Sequence, residues 1–286
     1  MISMLVPDLH LHSTASDGVL PPGAVIHRAL AAGVNTVALT DHDSLQGLDT
    51  AQRAALSAGM QFIPGIEISA GGQDEIHILG YHISGNSLGL LQLIQALRAD
   101  RENRVHRFLE SLQKEGIDVS IDELDIPEGT AFSRPLLARA MVKKGYVSSV
   151  AEAFDRYIGI GKPCYVPRKL FHVGDVIAVL RADGAVPVLA HPALIKIPPA
   201  ELQDMLNGWI SAGLMGIEVY HPAHDDLTCQ GWEDYARQHS LLATGGSDFH
   251  GDQAPLHAEI GAMIPRWATH NDDAQRLLQY AAVPDQ

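Results

Sequence analysis

The sequence predicts an α/β fold built from repeated strand–helix units around a parallel sheet or barrel, and three observations carry that prediction. The chain has 286 residues, 46% of them hydrophobic, at a mean hydropathy of +0.03, enough to bury one large core. Seven short segments rich in Val, Ile and Leu recur, each closing on polar residues. Between most of them lie stretches of 3.6-residue apolar spacing, the pattern of crossover helices.

Taken in order, the first strand is expected over Met4–His12, followed by a helix over Pro22–Ala32 that opens on proline and stops at Gly33. A second strand, Thr36–Asp43, leads into a helix over Ser44–Ala58 with Ser44 as N-cap. The third and fourth strands, Gln61–Ser69 and Glu75–His82, are separated only by Ala70–Asp74, which reads as a tight hairpin. Helix signals alone fill the next stretch: Leu88–Glu115, a turn around Pro127, Arg134–Lys144 and Ser149–Ile158. This is expected to be a helical insertion capping the barrel, which divides the chain into 1–98, 99–165 and 166–286. Strands resume at Ala185–His191, Gly216–His221 and Leu241–His250.

Composition excludes several classes. No apolar run approaches the length of a membrane span, and Met1–Pro7 is too short and uncharged for a signal peptide, so a cytoplasmic location with no membrane partner is expected. Cys164 and Cys229 are the only cysteines, too few for a disulfide framework or a thiolate cluster, and they read as packing or surface residues. Any metal must therefore use imidazole and carboxylate, and fifteen histidines make that question pressing. The net charge of −14 argues against loose nucleic-acid binding, but it is unevenly spread. Residues 98–169 hold thirteen basic and eleven acidic residues, +2, leaving seven against twenty-three, −16, in the remainder.

The donors fall at strand ends. His10 and His12 lie two apart on the first strand, so their side chains leave one face. Asp17 follows in the loop; His42 ends the second strand between Asp41 and Asp43; Glu67 ends the third; His77 lies in the fourth; His191 ends the fifth; Asp248 and His250 end the seventh. Singly, each is as compatible with a loop polar group, and Asp41 and Asp43 with caps of the helix at Ser44. Jointly, two paired sets plus single donors on the C-terminal face, where barrels build sites, point to a metal centre. No glycine-flanked serine elbow surrounds Ser247, and no phosphate-cradling glycine loop occurs.

The runs DLHLHS (8–13), TDHD (40–43), GIE (65–67), AHP (190–192) and GSDFH (246–250) together resemble the PHP family, named for polymerase and histidinol phosphatase domains. The resemblance implies a distorted seven-stranded βα barrel with two or three divalent ions. Carried over by position, it implies a first ion on His10, His12, Glu67 and Asp248. A second would share Glu67 and add His77 and His191, and a third would take Asp17, His42 and His250. Some relatives have histidine at the position of Asp17, which makes this third site more oxygen-rich. Nitrogen and oxygen donors without thiolate suit Mn²⁺, the expected metal, or Fe²⁺ or Zn²⁺. Paired ions can activate a water and hold phosphate oxygens for in-line attack.

SRP (133–135) and EVYHP (218–222) look like the branch acting on nucleoside 3′,5′-bisphosphates and on the 5′ ends of short RNAs. The resemblance thus implies a phosphoesterase converting such a bisphosphate to the 5′-monophosphate, with 5′-3′ exoribonuclease activity beside it and no stable protein partner. A small-metabolite phosphatase such as histidinol phosphatase, and a catalytically silent regulatory domain, are the competing readings. Asp248, His250 and His221 are the candidate catalytic residues. Ser133, Arg134, Arg168, His221 and His224 are the candidate substrate contacts, Arg134 as a phosphate clamp or else an ordinary first-turn helix residue, His221 as a proton donor or else a buried polar histidine. Arg98, Arg101, Arg104 and Arg107 form a stripe that is either a solvated face paired with Asp100 and Glu102 or a guide for an RNA backbone.

Overall fold

The computed structural model describes residues 5–71, 75–124, 126, 132, 134–251, 258–263 and 272–280. The chain forms two compact units, one from Met1–Ile94 with Leu170–Gln286 and the other from Gln95–Lys169.

In the first unit, seven strands follow chain order across one sheet: β1 (Pro7–Asp8), β2 (Thr36–Leu39), β3 (Gln61–Gly71), β4 (Glu75–Tyr81), β5 (Val186–Leu189), β6 (Gly216–Tyr220) and β7 (Leu242–Gly245). All neighbours are parallel except at β4, which runs against both β3 and β5. The sheet nearly closes: the Leu9 N–H donates to the Gly245 carbonyl at 3.2 Å and the His12 N–H to that of Phe249 at 3.0 Å. The β1 ladder is far shorter than the apolar pattern suggests. Beyond Asp8 the chain stays extended but takes alternating partners, with Leu11 accepting from the Thr40 N–H on one side and bridging Phe249 on the other.

Helices pack outside the strands. Helix α1 (Pro22–Ala31) opens on proline and ends at Gly33 with φ +83°. Helix α2 (Leu48–Ser57) starts later than expected, at an N-cap of Gly47 with no side-chain cap. Ser44 instead accepts from the Gln46 N–H at 3.3 Å, because Asp43, at φ +49°, turns the chain out of helical geometry just before it. Val25, Ile26 and Ala29 of α1 and Ala51 and Ala55 of α2 bury against Leu11, Val37 and Leu39. Helices α6 (Val173–Ala182), α7 (Pro199–Ser211), α8 (Asp226–Gln238) and α9 (Asp272–Leu278) complete this unit.

The second unit is helical. Helix α3 (Leu88–Lys114) leads into it, and α4 (Arg134–Lys143) and α5 (Val150–Ala153) follow, α5 running into a π-helical turn at Phe154–Ile158. Phe108, Leu112, Leu137, Met141, Ile158 and Cys164 form its core. Arg104 and Arg107 of the arginine stripe are tied within this unit: Arg107 Nη2 lies 2.6 Å from Asp100 Oδ1, and Arg104 Nε donates to the Val166 carbonyl at 2.9 Å. Among the described residues, no helix is long and apolar enough to cross a membrane.

Candidate metal centre

The strand ends of the first unit converge on one buried cluster. His10 Nε2 lies 3.3 Å from Glu67 Oε2 and 3.2 Å from Asp248 Oδ1, and His12 Nε2 lies 3.2 Å from both. His10 Nε2, both His12 ring nitrogens and Glu67 Oε2 are buried in no hydrogen bond of acceptable geometry. Donors about 2.0–2.1 Å from a shared tetrahedral ion are separated by about 3.3–3.4 Å, and the imidazole–carboxylate distances among His10 Nε2, His12 Nε2, Glu67 Oε2 and Asp248 Oδ1 match that spacing. A buried polar atom left without a hydrogen bond is costly, and a cation is the partner that imidazole and carboxylate lone pairs share.

Glu67 is the hub. Its Oε1 lies 2.9 Å from His77 Nδ1 and 2.9 Å from His191 Nε2, while its Oε2 lies 3.0 Å from His42 Nδ1. His42 turns its other nitrogen outward, with Nε2 3.9 Å from Asp17 Oδ2, and Asp17 Oδ1 lies 3.3 Å from His250 Nε2. Among the described residues three donor groups result: His10, His12, Glu67 and Asp248; His42, Glu67 and His77; and His12, Asp17, His42 and His250; His191 stands beside the second, its Nε2 3.3 Å from His77 Nδ1, while His42, expected in the third group alone, also joins the second. His77 reaches the cluster from the opening half of its strand because β4 is reversed, so its early residues lie at the mouth where the other strands end.

Charge decides the state of this cluster. Burial pulls the imidazoles of His12 and His77 down, but the Asp248 and Glu67 carboxylates around His12, and those of Glu67 and Glu75 around His77, outweigh it and raise each to about 10. Burial likewise works against the His10 imidazolium, and Glu218, Asp248 and Glu67 hold it well above the usual range. His42 is pushed down to about 3, chiefly by burial, with His12 and His77 adding repulsion. Burial favours the neutral acid at Glu67, yet the surrounding imidazoles hold that carboxyl well below its ordinary value. Without cations, the surrounding carboxylates therefore favour the protonated imidazoles of His10, His12 and His77.

Several residues that hold the donors are silent in the sequence. Glu218 of β6 accepts from His10 Nδ1 at 2.9 Å and from the His191 N–H at 2.8 Å. Asp41 and Asp43 are not helix caps. Asp41 accepts from the Ser13 N–H, the Ser13 hydroxyl and the Ser16 hydroxyl, each at 2.7 Å, which pins the loop after His12. Asp43 accepts from the Ser69 N–H at 3.0 Å and the Ser69 hydroxyl at 3.3 Å, tying the His42 turn to β3. Asp8 accepts from the Ser247 and Gly261 N–H groups, both at 2.9 Å. Burial raises its carboxyl to about 6 against those bonds. Asp43, His191 and Asp248 all adopt positive φ, at 49°, 26° and 50°, a strained backbone at three positions of the mouth.

The remaining expected site residues separate. His221 is buried at the centre with Nε2 3.3 Å from Asp248 Oδ2; its Nδ1 accepts from the Ala223 N–H at 3.1 Å, which leaves the neutral ring's proton on Nε2, facing the carboxylate. His224, expected to contact substrate, is instead a brace: Nδ1–H donates to the Val219 carbonyl at 2.8 Å and Nε2 accepts from the Ala193 N–H at 3.3 Å. Both its polar atoms are thereby spent on the backbone. Arg134 and Arg168 belong to the second unit, where the Arg134 guanidinium lies 5.6 Å from the Phe154 ring and 5.8 Å from the Tyr165 ring. Ser133 lies outside the described residues.

A mixed seven-stranded barrel whose mouth gathers three groups of imidazole and carboxylate donors defines a barrel protein built around a metal-binding centre. Residues 8–157 match the PHP domain family, and the chain belongs to it. It is 34% identical over 244 residues to a 5′-3′ exoribonuclease of Haemophilus influenzae, covering 85% of this chain and 89% of that one. It is also 34% identical over 248 residues to a 3′,5′-nucleoside bisphosphate phosphatase of Chromobacterium violaceum, covering 85% and 86%. Among solved structures, a candidate metal-dependent phosphoesterase of Bifidobacterium adolescentis aligns with a TM-score of 0.79 at 28% identity, covering 96% of both chains. An amidohydrolase of Chromobacterium violaceum, determined with bound sulfate, aligns at 0.75 and 32%, covering 91% of this chain and 96% of the other.

Proposed function

We propose that this protein is a metal-dependent phosphoester hydrolase that removes the 3′-phosphate of nucleoside 3′,5′-bisphosphates, giving the 5′-monophosphate and phosphate, and that it acts in the cytoplasm. The observation that carries this reading is the convergence of imidazole and carboxylate donors on Glu67, fully buried in the group of His10, His12, Glu67 and Asp248 and partly exposed in the other two. The relatives named as a nucleoside bisphosphate phosphatase and a 5′-3′ exoribonuclease supply the substrate class. Hydrolysis of the 5′ end of short RNA is the second activity this supports, since it breaks the same kind of bond.

By the family resemblance, His10, His12, Glu67 and Asp248 would hold one ion, His77 and His191 a second that shares Glu67, and Asp17, His42 and His250 a third; Mn²⁺ is the metal proposed, and the same nitrogen and oxygen donors also suit Fe²⁺ or Zn²⁺. Such ions supply Lewis acidity and an activated water. Two or three of them against Asp17, Glu67 and Asp248 leave the mouth about +1 to +3, an attractive place for a phosphate dianion. Asp248 and His250 line that mouth, and His221, with its Nε2 proton beside Asp248, is placed to hand a proton toward a departing ribose oxygen. Ser133, Arg134 and Arg168 are proposed as phosphate contacts.

Phosphate release tests the reading. Chelator-stripped protein should be inactive, and added Mn²⁺ should restore release from adenosine 3′,5′-bisphosphate in preference to 5′-AMP or histidinol phosphate. Asp248→Asn should abolish turnover without unfolding the chain. Preferred release from histidinol phosphate would replace the substrate assignment, and no release from any member of the panel would remove the enzymatic one.

A further inference from the structure

We infer that Glu218 is a positioning residue that fixes the metal-binding tautomer of His10 and, through its second oxygen, the turn that presents His191, so that one buried carboxylate governs two donor groups. The inference rests on the metal-centre reading above and adds a residue to it that contributes no donor of its own.

Glu218 stands in β6 at zero exposure. A carboxylate of this kind is retained in a core only where its oxygens are used, and both are. Oε1 lies 2.9 Å from His10 Nδ1 and Oε2 2.8 Å from the His191 N–H. An ionised carboxylate only accepts, so Nδ1 carries the hydrogen, and when His10 gives up its second proton to become a metal ligand the lone pair is left on Nε2. That is the atom 3.3 Å from Glu67 Oε2 and 3.2 Å from Asp248 Oδ1, buried without a hydrogen bond. The second oxygen acts on backbone. His191 sits at φ +26°, a conformation that must be held from outside, and its ring reaches 2.9 Å from Glu67 Oε1. The His10 and His191 rings also stack, at 5.7 Å and 21°. Glu218 thus links a ring in the first donor group to the main chain beneath His191.

The near-isosteric amide separates positioning from packing. In Glu218→Gln one acceptor oxygen faces two donors, and the other end of the side chain is itself a donor. With the oxygen toward the His191 N–H, the amide NH₂ meets His10 Nδ1 and drives the ring to the tautomer that carries its hydrogen on Nε2. With the amide reversed, the NH₂ opposes the His191 N–H and unseats the turn. Either arrangement disables one donor group while volume is conserved.

The experiment is titration of Mn²⁺ into chelator-stripped full-length wild type and Glu218→Gln by calorimetry, with long-range ¹H–¹⁵N spectra of the Zn²⁺-loaded proteins reporting the His10 tautomer. The expected result is loss of at least one binding event, or affinity weaker by about 10- to 100-fold, with the Nδ1–H signature of His10 lost or the His191 turn displaced. Equal stoichiometry and affinity in the two proteins would overturn the inference. If the glutamine variant does not fold, Glu218→Asp decides: its carboxylate, one methylene shorter, cannot reach both donors, and wild-type Mn²⁺ binding by it would equally overturn the proposal. A wild type that binds no Mn²⁺ would instead bring down the metal-centre reading itself, an outcome distinct from the other two.

Discussion

Replacing Gly246 with alanine should open the barrel at its seam. A Cβ at this position would stand 2.4 Å from His10 Cβ, 2.4 Å from His10 N and 2.8 Å from His10 Cα. None of these is the end of a flexible side chain, so the clash can be relieved only by moving main chain. Reaching an ordinary contact near 3.5 Å requires a shift of about 1 Å. The hydrogen bonds that join the chain after β1 to β7, 3.2 Å from the Leu9 N–H to Gly245 and 3.0 Å from the His12 N–H to Phe249, cannot survive such a shift. Losing both at about 0.5–1.5 kcal/mol each, on top of about 1–3 kcal/mol for overpacking, gives a destabilisation of about 2–6 kcal/mol. At about 2–4 °C per kcal/mol, the melting temperature should fall by at least about 4 °C. His10 Nε2 would move by several times the ±0.2 Å tolerance of a metal–ligand distance, so Mn²⁺ affinity should fall with stability. Scanning calorimetry with and without Mn²⁺ reads both effects. Gly208→Ala on α7, where a Cβ meets nothing within 4 Å, is the matched control and should be neutral or slightly stabilising. Wild-type melting and wild-type Mn²⁺ affinity in Gly246→Ala would refute the close-approach reasoning.

In chelator, His12 and His77, raised to about 10, contribute stability that is fully present below the unfolded value of 6.5 and is lost as pH climbs toward 10, so the metal-free protein should melt progressively lower from pH 7 to pH 9. With Mn²⁺ bound those protons are already gone and the slope should vanish; equal slopes in the two states would contradict the charge balance described above. His224→Ala removes the partner of the Ala193 N–H and one of two donors to the Val219 carbonyl, which keeps Cys229 Sγ at 3.3 Å, and should cost about 1–3 kcal/mol in denaturant melts, while the KM for substrate stays unchanged; a raised KM at intact stability would restore a substrate role. Asp43→Ala should cost about 2–4 kcal/mol, because it removes both bonds to Ser69 and leaves φ +49° to a residue less tolerant of it; a urea midpoint matching wild type would show that the His42 turn does not depend on this tie.

The donors could be read from the sequence because strand periodicity is rigid. Residues two apart share a face, so His10 with His12 and Asp248 with His250 announce paired donors, and the apolar stretches before them announce which end of each strand they occupy. What surrounds the donors could not be read. Glu218, Asp8, Asp41 and Asp43 work through contacts with backbone and side chains from other strands, and a carboxylate at a strand end looks the same whether it caps a helix or braces a neighbour. Asp41 and Asp43 show the ambiguity most clearly, since local rules favoured a cap near Ser44 while the tertiary partners were Ser13, Ser16 and Ser69. His224 misled for the same reason, its distance from His221 in sequence saying nothing of the two backbone groups it would meet. The reversed strand was legible as the tight hairpin expected at Ala70–Asp74, where no helix separates the third and fourth strands.

That reversal also bears on the order in which the molecule assembles. The β3–β4 hairpin joins residues only a few positions apart, and its two strands carry Glu67 and His77, so the hub carboxylate and one of its imidazoles can meet while most of the chain is still searching. The seam between the chain after β1 and β7 is the opposite case: Leu9 must find Gly245, and His10 must find Asp248, across nearly the whole length of the polypeptide. Loop-closure entropy places such a pairing late. The centre is therefore begun by the most local contact in the sheet and finished by the most distant. Full ion occupancy would then record that the last seam has closed, making the bound metal a latch on folding as well as an agent of chemistry.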